Sequence, residues 1–554
     1  MYNELKEKPM LIQAEQLTRY LTSIKSYNGT DGESEKADAI AKVIRSFPYF
    51  LEHPDEVWIQ EIPNDPFGRK NVWARLKGLS SRTVLFHSHI DTVETDDFGP
   101  LQKIAHNSDA LEHFFTSYDA DSRVQVDALS EDWLFGRGAL DMQSGIAVHL
   151  VNLLAMSEQK EPLEGNMLFL FNSDEESEHA GILAALHELE KMKQQGMDYI
   201  AAINNDFIGP LFDGDPHKYI YTGAAGKVLP CFYIYGREAH VGDILTSIDP
   251  TQIGAELNRR INQNLELAEP LEGEYVLPPA CLYFKDDKHH YNVQTAVSAR
   301  LYFNYFVFER TAKDVLDELM VIAKEACEEL RELSRGRYEQ FHKKHQLPVS
   351  NWDWKLEVVC FDEFVTSLRK KGLPVEDTLN SIQEQYIGKD RRDAAFAMVE
   401  ALQQLDPEKK PRVIIFFAPP FLPHNFLNEK NEYGNEIKRK LTKRLNEVSS
   451  LTGESFMIKR FFPYLADGSF LSLHESEEEV EVLEQNMPRM EILYPLPIHL
   501  IKKLNIPSIN IGVYGKDGHK WTERVYKPYT FGILPNLIRE FALDLVAEKE
   551  RLLL

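Results

Sequence analysis

Four short apolar runs, each followed at once by ionisable side chains, constrain the fold of this chain more than any other feature. They are Thr83–Phe86, Met167–Phe171, Tyr199–Ile203 and Ile509–Val513. Their length and composition predict buried β-strands, and the helical patterns between them in the N-terminal half are typical of a βαβ architecture. Ligands and catalytic side chains gather at the carboxyl ends of strands in open parallel sheets. The four runs therefore predict a single shared site.

A different pattern between residues 227 and 360 predicts a second domain. It holds two strand-like and two helical segments: Leu229–Tyr235, Ala296–Val307, Thr251–Leu265 and Thr311–Leu333. We therefore predict an α/β protein with a discontinuous catalytic domain, residues 1–226 and 361–554, whose mixed, largely parallel sheet is flanked by helices. Residues 227–360 are predicted to form an inserted α+β domain.

The charge and the cysteines argue against several kinds of partner and compartment. The chain has 62 Lys and Arg against 87 Asp and Glu, a net charge of −25, which would repel a phosphate backbone, so we expect no nucleic acid partner. No apolar stretch approaches the roughly 18–20 residues that a membrane helix needs, so we expect no membrane. Four scattered cysteines and the absence of a signal-peptide core in residues 1–10 favour the cytoplasm.

Single-motif enzyme signatures are absent from the sequence. It contains no HExxH, no GxSxG and no GxxxxGK[ST], which argues against the corresponding zinc proteases, serine hydrolases and ATPases. Gly136-Arg-Gly138 could begin a dinucleotide-binding loop, but Asp141 stands where that motif requires a third glycine. The chemistry must therefore come from residues that are distant in sequence.

His89, Asp91 and Asp141 are the first candidates. Imidazole is a good zinc ligand, and a carboxylate two residues later could orient it by accepting its second N–H; both residues could equally be ordinary polar residues of a loop. Asp141 precedes an apolar-periodic segment. It could therefore cap a helix, or it could be an ionised carboxylate that bridges two cations.

Glu175 and Glu176 are adjacent at the end of the second run. Neighbouring carboxylates repel each other unless a cation or a proton compensates them, so one could bind metal while the other serves as a general base. Together with Asp174 and Glu178 they could instead form a solvent-exposed acidic turn. The sequence leaves both interpretations open.

Asp206 and His519 follow the third and fourth runs and complete the set. With His89, Asp141 and Glu176 they supply five nitrogen and oxygen ligands and no thiolate, which suits Zn²⁺, Mn²⁺ or Co²⁺. Five ligands are too many for one zinc ion with an open position, but they suit two ions roughly 3.5–4 Å apart. We therefore predict two divalent metal ions, with Zn²⁺ as the first choice.

These motifs, in this order, resemble the M20 family of dinuclear zinc peptidases and amidohydrolases. The resemblance rests on His89-Ile-Asp91-Thr-Val, Gly136-Arg-Gly-Ala-Leu-Asp141-Met, Ser173-Asp-Glu-Glu176, Asp206, and His519 with Glu523 four residues later. It implies that His89 and Asp206 hold one metal and that Glu176 and His519 hold the other. Asp141 would bridge the metals, Asp91 would orient His89, and Glu175 would be the general base that acts on a bridging water.

The same resemblance implies a role for the inserted domain as a lid, often used for homodimerisation. His240, in Gly236-Arg-Glu-Ala-His240, would help to polarise the scissile carbonyl, and Asn292 and Arg300 would contact substrate. His240 could instead be a surface residue of an edge strand. The implied substrate is a small peptide or an N-acyl amino acid.

The chain also departs from the family pattern. It is well over a hundred residues longer than expected, mainly around residues 361–500, and in this it looks most like the arginine-utilisation (Roc-type) branch. Gln143 and Ser144 replace the Lys and Gly that are common after the bridging aspartate. We therefore expect an amide hydrolase of arginine or amino-acid catabolism. The alternatives are hydrolysis of a non-peptide bond and a non-catalytic member that binds an amino acid or peptide.

Overall fold

The computed structural model describes residues 1–349, 355–464 and 466–547. The chain divides into two units. The first contains residues 1–224, 425–473 and the chain from 497 onward, and the second contains residues 225–424 and 474–496.

An eight-stranded sheet forms the centre of the first unit. From one edge to the other its strands are Val57–Glu61, Lys70–Leu76, Asn166–Asn172, Arg82–His89, Asp198–Asn204, Ser508–Ile511, His217–Tyr221 and Ser455–Lys459. Lys70–Leu76 is antiparallel to both of its neighbours, Val57–Glu61 and Asn166–Asn172. The pair Ser508–Ile511 and His217–Tyr221 is also antiparallel. The remaining pairs are parallel. The predicted α/β fold with a mixed, largely parallel sheet is confirmed.

The four apolar runs form four consecutive parallel strands of this sheet. His89 lies opposite Asn172, and His87 and Asn510 both lie opposite Asn204, so the carboxyl ends are level with one another. The residues that follow these ends therefore meet at one edge of the sheet.

Helices cover the sheet of the first unit. The longer ones are Met10–Ser23, Gly32–Arg45, Ser108–Thr116, Ser122–Leu129, Ser144–Ser157, Ala180–Gln194, Glu432–Thr452 and Leu534–Val546. The shorter ones are Tyr2–Leu5, Pro48–Glu52, Ile498–Leu504 and Lys527–Gly532. A small antiparallel sheet of Trp133–Phe135, Arg524–Tyr526 and Gly515–Lys516 supports the loop that carries His519.

One helical segment of the described chain corrects an expectation about apolar stretches. Residues 139–157 are long and apolar enough to cross a membrane, but 94% of their most apolar window is buried inside the structure. The helix Ser144–Ser157 within this segment packs against Met10–Ser23 and Leu534–Val546. It is a core helix of the first unit.

A six-stranded sheet forms the centre of the second unit. Its main order is Ala280–Asp286, Ser298–Val307, Pro230–Tyr235, Arg412–Phe417 and Glu357–Cys360, and Gly226–Val228 pairs with Ser298–Val307. The helices of this unit are Pro250–Ile261, Ala312–Lys344, Phe361–Lys370, Val375–Gln385, Arg391–Leu405, Glu477–Gln485 and Met490–Leu493. All six residues of Pro230–Tyr235 are buried, as expected for a strand that is covered on both faces.

The predicted domain boundary at residue 360 is wrong, because the second unit continues beyond it. Arg412–Phe417 pairs antiparallel with Pro230–Tyr235 and so lies inside the sheet of the second unit. Cys231 and Tyr233 share an apolar core with the helices Phe361–Lys370 and Arg391–Leu405. Residues 361–424 and 474–496 therefore belong to the second unit and not to the first.

Candidate active site

Asp141 lies between the two candidate imidazole ligands. Its Oδ1 atom is 3.0 Å from Nε2 of His89, and its Oδ2 atom is 2.9 Å from Nε2 of His519. The same nitrogen of His519 is 2.8 Å from Oε1 of Glu176. One carboxylate thus presents a separate oxygen to each histidine, an arrangement that suits a ligand shared by two cations.

The local backbone explains why Asp141 can take this position. The helix that follows begins at Ser144 and has Gln143 as its N-cap, so Asp141 is not a helix cap. Gly138 turns the preceding loop with a φ of +78°, and a Cβ atom there would lie 2.6 Å from the side chain of Thr92. The tight turn leaves the carboxylate free to face the histidines.

Asp91 fixes the turn that carries the two glutamates. Its carboxylate accepts the backbone N–H groups of Glu175 and Glu176, each at 3.0 Å, while Nδ1 of His89 lies 3.1 Å from its backbone carbonyl. Burial would raise the pKa of Asp91, but the neighbouring His89 and these N–H groups lower it to about 2. Asp91 therefore stays ionised and holds both the imidazole and the turn.

The turn at Glu175 and Glu176 is not an exposed acidic loop. Glu175 and Asp174 are buried, and the side chain of Glu176 is only 10% exposed. Burial raises the pKa of Glu175 well above its usual range; His89 opposes the shift, and the charge of Glu176 adds to it. Burial and the charge of Asp141 also raise the pKa of Glu176.

Asp206 interacts electrostatically with the other predicted ligands. It is buried at the end of Asp198–Asn204, and its Oδ1 atom accepts the N–H of Phe207 at 2.6 Å. Burial, followed by repulsion from Asp141, raises its pKa to about 8. The structure thus brings all five predicted ligands to one end of the sheet, with direct contacts among four of them.

The donor set fits divalent cations. Ligand atoms of His89, Asp141 and Glu176 all lie within 4.8 Å of one another. The pKa of His519 rises to about 11, chiefly because of its contacts with Asp141 and Glu176. Burial, and then repulsion from neighbouring carboxylates, raises the pKa of Glu175 and Asp206. Cations would relieve this repulsion, and imidazole and carboxylate ligands suit zinc or manganese.

Glu523 and Arg137 form a buried pair behind the cluster. Oε1 of Glu523 accepts the backbone N–H groups of Leu140 and Asp141 at 3.0 and 3.1 Å, and Oε2 pairs with Arg137 at 2.9 Å. A second guanidinium nitrogen of Arg137 donates to the backbone carbonyl of His519 at 3.4 Å. The sequence showed the spacing of Glu523 from His519, but gave no reason for it.

Sequence reasoning missed Asp467. It is buried, its Oδ1 atom lies 2.9 Å from Nδ1 of His179, and its other oxygen accepts the side-chain N–H of Asn172. Its charge also raises the pKa of Glu175. The apolar stretch before Asp467 is interrupted by Pro463, and Asp467 begins a single helical turn, so the pattern of a strand followed by charged residues did not indicate its position.

The predicted lid residues lie in the second unit. His240 is exposed and pairs in a β-bridge with Gln294, two residues from Asn292, whose side-chain oxygen accepts from Lys288. This bridge brings the segments of His240 and Asn292 together. Arg300 pairs with Glu400 at 2.7 Å. That contact gives Arg300 a structural partner, and its contact with substrate stays a prediction.

Comparisons with known proteins show the family of this chain. Residues 85–335 match the sequence profile of peptidase family M20/M25/M40. Protein RocB of Bacillus subtilis (strain 168) is 51% identical over 537 residues, which cover 96% of this chain and 95% of RocB. The uncharacterized protein YqjN of the same organism is 31% identical over 535 residues, which cover 95% of each chain.

A solved structure with the same fold is aminopeptidase PepT from Bacillus cereus. It superposes with a TM-score of 0.51 at 12% identity, covering 97% of this chain and 100% of PepT. At this identity the likeness shows the fold alone.

Proposed function

This chain belongs to peptidase family M20, a family of metal-dependent peptidases and amidohydrolases, and we propose that it hydrolyses an amide bond with a dinuclear metal site. The observation that carries the proposal is the position of Asp141, whose two oxygens face His89 and His519 separately. His89 and Asp206 would hold one cation, Glu176 and His519 the other, and Asp141 would bridge them. When bound, the two ions would supply a water of lowered pKa and polarise the scissile carbonyl.

Glu175 is the proposed general base. It is buried beside the ligands, and its backbone is fixed by Asp91, so its carboxylate is held in place before substrate arrives. It would take the proton of the attacking water and pass it to the leaving nitrogen. Burial raises the pKa of Glu175 above its usual range, which is the direction that makes a carboxylate a stronger base.

The second unit is proposed to act as a lid. His240 would donate to the oxygen that becomes negative in the transition state, and Asn292 would bind substrate. We also propose that this unit forms a homodimer. Its edge strand Ala280–Asp286 carries exposed Leu282 and Phe284, which are 55% and 41% exposed and could pack against a second copy.

The substrate is proposed to be a small peptide or an N-acyl amino acid in arginine or amino-acid catabolism, supported by the extensive identity with RocB. The four cysteines are unpaired, which supports a cytoplasmic location. A screen of dipeptides and N-acyl amino acids, arginine derivatives included, tests the proposal. We expect hydrolysis that stops on chelation and returns with Zn²⁺ or Mn²⁺. Chelator-insensitive hydrolysis would contradict the proposed metal dependence.

A further inference from the structure

Two aromatic side chains lie beside the ligand cluster and have no part in the proposed chemistry. Phe207 follows Asp206 directly, and its N–H donates to the Asp206 carboxylate at 2.6 Å. Its ring centroid is 5.0 Å from that of Tyr464, with the planes inclined at 34°. The position of this ring pair is thus tied to a predicted metal ligand.

Phe207 also contacts the loop that carries His519. A Cβ atom on Gly518 would lie 2.8 Å from the ring of Phe207, so this ring packs directly on the backbone before His519. Only glycine allows so close an approach without a shift. Phe207 therefore lies next to the residues that follow two of the four strands.

Tyr464 is the outer ring of the pair. It is 44% exposed, and Phe462 packs edge-on against it with 5.4 Å between ring centroids. Burial raises the pKa of its phenol, and the charges of Asp206 and Asp141 add to the rise. A supported aromatic face next to the cluster is therefore open to solvent.

We propose that Tyr464, backed by Phe207, forms a wall of the substrate site and selects substrates that carry a flat, delocalised side group. This inference rests on the proposed function, because it assumes that substrate binds at the metal cluster. An aromatic ring can stack on Tyr464, and a guanidinium can bind its face through a cation–π contact. An aliphatic chain or a compact ammonium gains less from such a face.

Binding of free amino acids tests this wall without requiring turnover. L-phenylalanine, L-leucine, L-arginine and L-lysine contain no amide bond to hydrolyse. Calorimetry on the zinc-loaded protein should give a Kd that is about 3–10-fold lower for phenylalanine than for leucine, or for arginine than for lysine. The first preference identifies an aromatic group, and the second identifies a guanidinium.

Variants of Tyr464 locate the preference. Tyr464→Leu should remove it with the zinc content unchanged, whereas Tyr464→Phe should keep it. Tyr433→Leu is the matched control, since Tyr433 is also 44% exposed but lies on the helix Glu432–Thr452. It should retain the preference.

Two results would overturn the proposal: wild-type protein that shows neither preference, or a preference that survives in Tyr464→Leu. The outcome is separable from that of the proposed function. A protein that hydrolyses amides without either preference would refute only the wall, and one that shows the preference but hydrolyses nothing would refute only the hydrolase.

Discussion

The carboxylate of Glu523 accepts the backbone N–H of Asp141 at 3.1 Å, although the two residues are 382 positions apart in the chain. Glu523 lies four residues after His519, so this contact joins the loops of two predicted ligands. Arg137 neutralises Glu523 and is itself buried. Glu523 therefore fixes the distance between Asp141 and His519.

Substitution of Glu523 should weaken metal binding more than it weakens folding. We expect Glu523→Ala to lower metal affinity roughly 10–100-fold, as loss of a partner that orients metal ligands typically does. Glu523→Gln should have a smaller effect, because its amide oxygen can still accept the two N–H groups. Competition with a chelator measures the affinity, and thermal unfolding of the metal-free protein measures stability.

A buried ion pair in the second unit provides the control for Glu523. Asp406 pairs with Arg412 at 2.6 Å, and both side chains are buried. Asp406→Asn should lower stability yet leave the metal affinity of the folded protein unchanged. Equal metal affinities in wild type and Glu523→Ala would show that Glu523 does not position the ligands.

Glu175→Gln should abolish turnover while the metals remain bound. The amide cannot take a proton from water, so we expect kcat to fall by about 10²–10⁴-fold or more. Glu178→Gln, three residues later, is the control and should retain activity. Steady-state kinetics and metal analysis of the same samples make the comparison. Near-normal kcat in Glu175→Gln would require another base.

His240→Ala should lower kcat by about 10²-fold, the usual loss when one donor to a developing oxyanion is removed, without loss of metal. His345→Ala, which removes another exposed histidine of the second unit, should leave kcat unchanged. Mixing His240→Ala with Glu175→Gln then tests the dimer. Recovered activity would mean that His240 serves the partner's site, and an unchanged kcat in His240→Ala would exclude the role.

Glu33 should make the stability of the metal-free protein depend on pH. It is buried and accepts the N–H of Asp174 at 2.9 Å. Burial and the charge of Asp91 raise its pKa from 4.5 to about 8, although Arg69 opposes the shift. Between these two values the folded state binds more protons than the unfolded state. The contribution of Glu33 to stability is therefore fully present below pH 4.5 and is lost as the pH rises through 8.

The variant Glu33→Gln isolates this effect. Because the amide does not titrate, the free energy of unfolding should change between pH 5 and pH 8 by about 1–4 kcal/mol less in the variant than in the wild type. Urea unfolding of wild type and variant at the two pH values gives the difference directly. If the two proteins lose the same stability over this range, Glu33 is not the group responsible.

The central sheet could be predicted because four of its strands are apolar on both faces and are followed by charged residues. The same local signal pointed to His89, Glu175, Asp206 and His519. Asp467 begins a helical turn after a stretch that contains a proline, and it reaches the cluster through tertiary contacts with His179 and Asn172. The contact between Glu523 and Asp141 is likewise a product of folding.

The predicted domain boundary at residue 360 is wrong for a related reason. A strand such as Arg412–Phe417 has no feature in its own sequence that tells which sheet it will join. Its pairing with Pro230–Tyr235 depends on the helices that bury Cys231 and Tyr233. The local sequence pattern therefore predicted which segments form strands and helices, but it did not predict which distant strands pair with each other.

Metal stoichiometry of wild type and Asp141→Asn tests the bridging role of Asp141 most directly. After equilibration with Zn²⁺ and removal of free metal, mass spectrometry should find two zinc ions per wild-type chain and fewer than one per Asp141→Asn chain, with circular dichroism confirming that the variant is folded. A wild-type protein that saturates at one ion, or an Asp141→Asn protein that retains two, would contradict a shared carboxylate between two metals.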